Sequence, residues 1–142
     1  MRWRLLDEVM TIEKKTRVRT RSRVPEAPVS AEPLLMEMMA QTGGLLLGAE
    51  KNFEEDIIFA KIENAEFFDT KPGEEIEIEA TSGALRPEGS LIDAAIQTKE
   101  GRRVAQARFL LMSVGRLQPD VQEPIVFHEA FMKHFRIKEK LI

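Results

Sequence analysis

The stretch from Leu34 to Ala49 is apolar nearly all the way round a helical wheel, and this constrains the chain more than any other feature. A helix without a polar face is buried on every side, so something must wrap it. At 1.5 Å per residue the run is about 24 Å long. Pro33 is placed to open it, because the N–H that proline lacks would have no partner in a first turn. Gly43 and Gly44 sit in its middle. Each costs up to about 1 kcal/mol against alanine, which predicts close contact between the helix backbone and its cover.

The cover is legible on both sides of the helix. Residues 8–13 and 16–24 read as two strands around a Lys14-Lys15 turn. In the second, Arg17, Arg19, Arg21 and Arg23 alternate with Val18, Thr20 and Ser22, a period of two that puts four guanidiniums on one face. Four longer strand-like segments follow at 57–68, 74–86, 90–98 and 103–116. Glu75-Ile76-Glu77-Ile78-Glu79 alternates cleanly, so one face of its strand is wet. Lys71-Pro72-Gly73, Pro87-Glu88-Gly89 and Lys99-Glu100-Gly101 carry the chemistry of tight turns, which join strands antiparallel. A short hairpin, one buried helix and a meander of long strands make an α+β pattern.

Pro119 and Pro124 mark a linker, and a helix is expected after it with Phe127, Phe131 and Phe135 at i, i+4 and i+8. The predicted division is a main domain over 1–117 and a linker with a helical extension over 118–142. The phenylalanine stripe reads first as packing, with closure of a substrate pocket as the alternative.

Composition narrows the function classes. A chain of 142 residues with 43% hydrophobic content suits one domain with a real core. No run reaches the length of a membrane span. Asp7 and Glu8 stand where a signal peptide would continue its apolar run, so a cytoplasmic protein is expected. The absence of cysteine excludes disulfides, thiolate metal sites and a cysteine nucleophile. His128 and His134 are six apart and do not share a helix face as an i,i+4 metal pair would, so neither metal nor cofactor is expected. The net charge is -3, but residues 1–25 carry a local balance of +5, leaving -8 for the rest. Such a basic segment suits docking of an acidic protein, or a solvated edge strand that resists aggregation. No nucleic-acid partner is expected.

Glu37 is the only ionisable residue of the helix before Glu50. A buried carboxylate is costly, and desolvation would raise its pKa and suit it to general acid or base work. Gln41 lies one turn on, within hydrogen-bonding reach. The plainer alternatives are a Glu37 that faces solvent through a gap in the sheet, or one that is a paired charge at a subunit interface.

Glu37-Met38-Met39-Ala40-Gln41 resembles the Glu-Ala-Met-Ala-Gln helix of the 3-hydroxyacyl-acyl-carrier-protein dehydratases of the FabA/FabZ type. Ile62-Glu63-Asn64-Ala65-Glu66-Phe67 and Lys71-Pro72-Gly73-Glu74 are similar to that family's Asp-Asn-Ala-Arg-Phe and Arg-Pro-Gly-Asp segments, Arg103–Ala107 to its last strand, and Leu5–Val9 to its opening. The similarity runs over about residues 3–115 in one order. It implies the hotdog fold, a long central helix wrapped by a bent antiparallel sheet. It also implies a homodimer, or a multiple of one, with sites at the interface. Each site would pair a histidine of one subunit with the carboxylate of the other. The substrate it implies is a 3-hydroxyacyl thioester of acyl-carrier protein or coenzyme A, dehydrated during fatty-acid or related acyl-chain synthesis.

The chain departs from that pattern at the family's His-Phe-Pro-Gly-x-Pro-x-x-Pro-Gly loop. Aligned back from Glu37, Pro25 and Pro28 fit, but Arg23 takes the histidine position and Glu32 the last glycine position. An arginine stays protonated and cannot cycle a proton. His128, His134 or another chain would have to supply the imidazole. The resemblance thus implies Glu37 as catalytic carboxylate, Gln41 as its support, Arg23 in an altered role, Pro25, Pro28 and Glu32 around the substrate, and Arg17, Arg19 and Arg21 toward a carrier protein. Three functions stay open: a dehydratase-like hydro-lyase, a hotdog thioesterase in which Glu37 alone suffices, and a non-catalytic acyl- or carrier-binding member or heteromer subunit.

Overall fold

The computed structural model describes residues 5–27, 30–86 and 89–142, and of residues 84–86 the backbone alone. Pro28 and the Pro87-Glu88 part of one predicted turn lie outside the described residues. The elements in chain order are β1 (Glu8–Glu13), β2 (Arg17–Arg23), α1 (Glu32–Glu50), β3 (Ile57–Phe67), β4 (Glu75–Arg86), β5 (Gly89–Thr98), β6 (Arg103–Ser113), α2 (Glu129–His134) and α3 (Ile137–Lys140). The six strands form one antiparallel sheet in the order β1-β2-β4-β5-β6-β3. Helix α1 touches every strand, because only a sheet that curls around it can bury so apolar a helix. This is the hotdog arrangement. Leu35, Met38, Met39, Leu45 and Leu46 are each 1% exposed or less and form its centre with Ile78, Ile96 and Phe109.

The outer face of the sheet carries two complementary charge ladders. On β2, Val18, Thr20 and Ser22 point inward and are buried, while the four arginines point out. Arg19, Arg21 and Arg23 stand opposite Glu79, Glu77 and Glu75 of β4. Arg19 reaches Glu77 at 3.0 Å, Arg23 reaches Glu75 at 2.8 Å, Arg21 reaches Glu8 of β1 at 3.2 Å, and Arg17 pairs with Glu13. Exposed pairs of this kind contribute about 0–1 kcal/mol each; burial sets the register, because a one-residue slip would turn the arginines inward and Val18, Thr20 and Ser22 outward. The expected wet face of Glu75, Glu77 and Glu79 is therefore the face that receives the arginines. The hydrogen bond from Lys99 and its charge hold the Glu75 carboxyl below the usual carboxylate range, with Arg23 adding to the effect.

Several boundaries differ from the sequence expectation. Helix α1 starts at Glu32, which puts Pro33 second, and the last strand ends at Ser113 because the chain turns at Gly115 with φ 71°. The single C-terminal helix expected around the three phenylalanines is two short helices. His128 caps α2 by accepting the Phe131 N–H at Nδ1, so Phe127 precedes the helix, and Arg136 in a left-handed conformation (φ 53°) separates α2 from α3.

The C-terminal segment is part of the same core. Phe127, Phe131, Phe135 and Ile137 are buried in it. Phe127 meets Phe53 edge-on at 5.2 Å and sits over Gly48, where a Cβ would lie 2.5 Å from its ring. The segment ends against β1: Ile142 N–H donates to the Ile12 carbonyl at 3.0 Å, beside a parallel bridge from Ile12 to Leu141. Among the described residues no helix is long and apolar enough to cross a membrane.

Candidate functional site

One side of α1 is not covered. Glu37, Ala40, Gln41 and Gly44 follow one another at three- and four-residue steps and so share a helix face. They form the floor of a cavity of about 270 Å³. Its walls are Ile57, Ile58 and Phe59 of β3 on one side and Val126, Phe127, Phe131 and Phe135 on the other. Leu6 and Leu111 complete the lining. The cavity is apolar except at the end of the floor that carries Glu37 and Gln41.

Glu37 is exposed in the single chain. The expectation of a carboxylate desolvated by the protein around it is corrected here: the sheet leaves this part of the helix open, which is the solvent-facing alternative considered for Glu37. Gln41 does support it, with Nε2 donating to Glu37 Oε1 at 3.3 Å. The amide nitrogen is committed to the carboxylate, so the amide oxygen is the atom left over. Gln41 Oε1 is buried and has no hydrogen-bond partner. A buried acceptor without a donor costs about 1–3 kcal/mol.

Other sequence-predicted residues are not brought to this cavity. Arg23 donates to the Gly73 carbonyl at 3.1 Å as well as to Glu75. Pro25 lies in the loop before α1, and Glu32 opens the helix in an exposed position. Neither imidazole lines the cavity: His128 is spent on capping α2, and His134 packs edge-on against Phe135 at 4.7 Å. Arg17, Arg19 and Arg21, expected to face an acidic carrier, form a mixed-charge surface with Glu8, Glu13, Glu77 and Glu79. Among the described residues no cluster of three or more His, Asp or Glu is placed to hold a metal.

Asp56 is the positioning residue that sequence reasoning missed. It is 4% exposed, and its two carboxylate oxygens accept from the Leu117 and Ile125 backbone N–H groups at 2.7 Å each. This pins both ends of the linker and so fixes where the wall of phenylalanines begins. A local signal was absent, because its partners are backbone groups more than sixty residues away.

No protein-family model and no curated protein matches the chain. Solved structures do. A hypothetical thioesterase from Streptococcus pneumoniae with coenzyme A aligns at 17% identity over 76% of this chain and 85% of that one, with a TM-score of 0.63. A Streptococcus mutans protein bound to acetyl-coenzyme A aligns at 15% identity over 81% and 94%, with a TM-score of 0.66. The PaaI protein of the Escherichia coli phenylacetic acid degradation operon aligns at 10% identity over 76% and 79%, with a TM-score of 0.63. The likeness is one of fold: these structures share the hotdog arrangement, and none of the three is described as a dehydratase.

Proposed function

We propose that this chain is an acyl-thioester hydrolase acting on coenzyme A thioesters, with Glu37 as general base. The observation that carries the reading is an exposed Glu37, held by Gln41 Nε2 at 3.3 Å, at the polar end of an otherwise apolar cavity. A water hydrogen-bonded to Glu37 would have its lone pair free to meet a thioester carbonyl carbon. Glu37 takes a proton as the water attacks, the carbon–sulfur bond breaks, and the proton leaves with the thiol. Coenzyme A bound to two of the structural neighbours supports this choice of carrier. So does the pairing of the arginine face within the chain, where Arg17, Arg19, Arg21 and Arg23 each meet a glutamate.

Dehydration is the weaker reading. Removing an α-proton and protonating a departing hydroxyl is handled best by two titratable groups of different pKa. Among the described residues, Glu37 is the only ionisable one lining the cavity. Hydrolysis needs one.

The active form we infer is a homodimer joined through β3. That strand has one partner, β6, and its other edge exposes Ile58, Phe59 and Ile62 at 37%, 42% and 48%. An open edge with apolar side chains invites another strand. A second copy there would wall the cavity beside Ile57–Phe59 and keep bulk water from Glu37.

The test is thiol release from a panel of acyl-coenzyme A substrates, with light scattering on the same sample. Hydrolysis by a dimer, lowered about 10²–10⁴-fold in Glu37→Gln, is the expected result. Hydrolysis unaffected by that substitution, or turnover of 3-hydroxyacyl thioesters to enoyl products at ordinary enzyme rates, overturns the reading.

A further inference from the structure

Gly44 has no evident reason to be glycine. It is mid-helix, where glycine is among the worst residues, and an added Cβ would meet nothing within 4 Å. Gly43 and Gly48 are different: a Cβ there would lie 3.0 Å from the Phe109 ring and 2.5 Å from that of Phe127. What a side chain at Gly44 would do is enter the cavity, whose floor it forms. Another wall is supplied by the C-terminal segment through Phe131 and Phe135, whose rings are tilted against each other with centroids 4.9 Å apart, and which is tied down through Asp56.

We propose that the cavity is a channel for a medium-length acyl chain, and that Gly44 on its floor and Phe131 and Phe135 on its wall set the chain length it takes. The proposal deepens the thioesterase reading and rests on it for the identity of the head group. With Glu37 and Gln41 at the polar end, the thioester lies there and the chain runs along Gly44 beneath the phenylalanines. At about 30 Å³ per water-sized group, a cavity of about 270 Å³ has room for an acyl chain of medium length. A leucine at Gly44 would extend into that path from a Cβ that meets nothing within 4 Å.

The experiment is calorimetric titration of the full chain with the inert thioethers S-ethyl-, S-hexyl-, S-octyl- and S-dodecyl-coenzyme A, and with free octanoate. Each fully buried methylene should tighten binding about fourfold, so the six added from ethyl to octyl raise affinity up to about four-thousandfold, and affinity stops rising at dodecyl. In Gly44→Leu the octyl-to-ethyl ratio falls to within about threefold, while the melting temperature is no lower than the parent's. In Phe135→Leu, chosen over alanine to preserve folding, the optimum moves toward dodecyl. Thioethers that bind with no length dependence overturn the channel and leave the thioesterase reading standing. Octanoate binding that Gly44→Leu abolishes, with no affinity for any thioether, does the reverse. A Gly44→Leu protein that changes oligomeric state while keeping its length dependence makes this face an interface between copies and also overturns the channel.

Discussion

Gly43 and Gly44 are consecutive residues on one helix, and they stand in opposite surroundings. Gly43 is jammed against Phe109 and Ile92, both no more than 1% exposed, whereas Gly44 faces empty space. The same division runs along the whole of α1. One side carries Leu35, Met39, Thr42 and Leu46, all sealed under the sheet; the other carries Glu37, Ala40, Gln41 and Gly44. The closed side has every group satisfied: Thr42 donates its single proton to the Met38 carbonyl at 2.9 Å, so Thr20 must be the donor in the 2.9 Å contact between the two hydroxyls. The open side keeps an unsatisfied acceptor and an unfilled volume. Stability is concentrated on one side, and the capacity to bind something on the other.

The comparison can be broken by substitutions that treat the two sides alike. Leu46→Ala should have the largest effect, a loss of about 2–5 kcal/mol in denaturant unfolding, because Leu46 is wholly buried and the packed sheet cannot collapse into the gap. Thr42→Val follows at about 1–3 kcal/mol, since it strands the buried Thr20 hydroxyl. The double variant Thr20→Val/Thr42→Val should recover most of that loss, and its failure to do so would place the cost in packing instead.

The glycine pair gives the sharper contrast. Gly43→Ala should destabilise by roughly 1–2 kcal/mol, the overpacking against a Phe109 ring that cannot give way exceeding the gain in helix propensity. Gly44→Ala should stabilise by up to about 1 kcal/mol, having propensity to gain and nothing to strike. Equal signs for the two substitutions in matched thermal melts would remove the distinction between the sides of the helix.

Much of this was legible in the chain. Glu37 and Gln41 are a local pair, one turn apart, so the helix period places them together whatever surrounds them. The two ladders were legible separately, since alternation is a property of each strand. That the arginines of β2 face the glutamates of β4 was not, because pairing joins residues 52 to 62 positions apart, such as Arg23 with Glu75 and Arg17 with Glu79. The expected close approach at both mid-helix glycines held at Gly43 and failed at Gly44.

The sequence by itself determined the α+β class, the buried central helix, the antiparallel meander and the carboxylate with its supporting amide. Each of these follows from periodicity or spacing within one element, where neighbours in sequence are neighbours in space. Only the tertiary structure decided which side of α1 stays open. A helix that is apolar all round carries no mark of its own exposed side. That side is chosen by neighbours from elsewhere in the chain: β3 and a C-terminal segment anchored by two hydrogen bonds to Asp56, which line the gap without closing it.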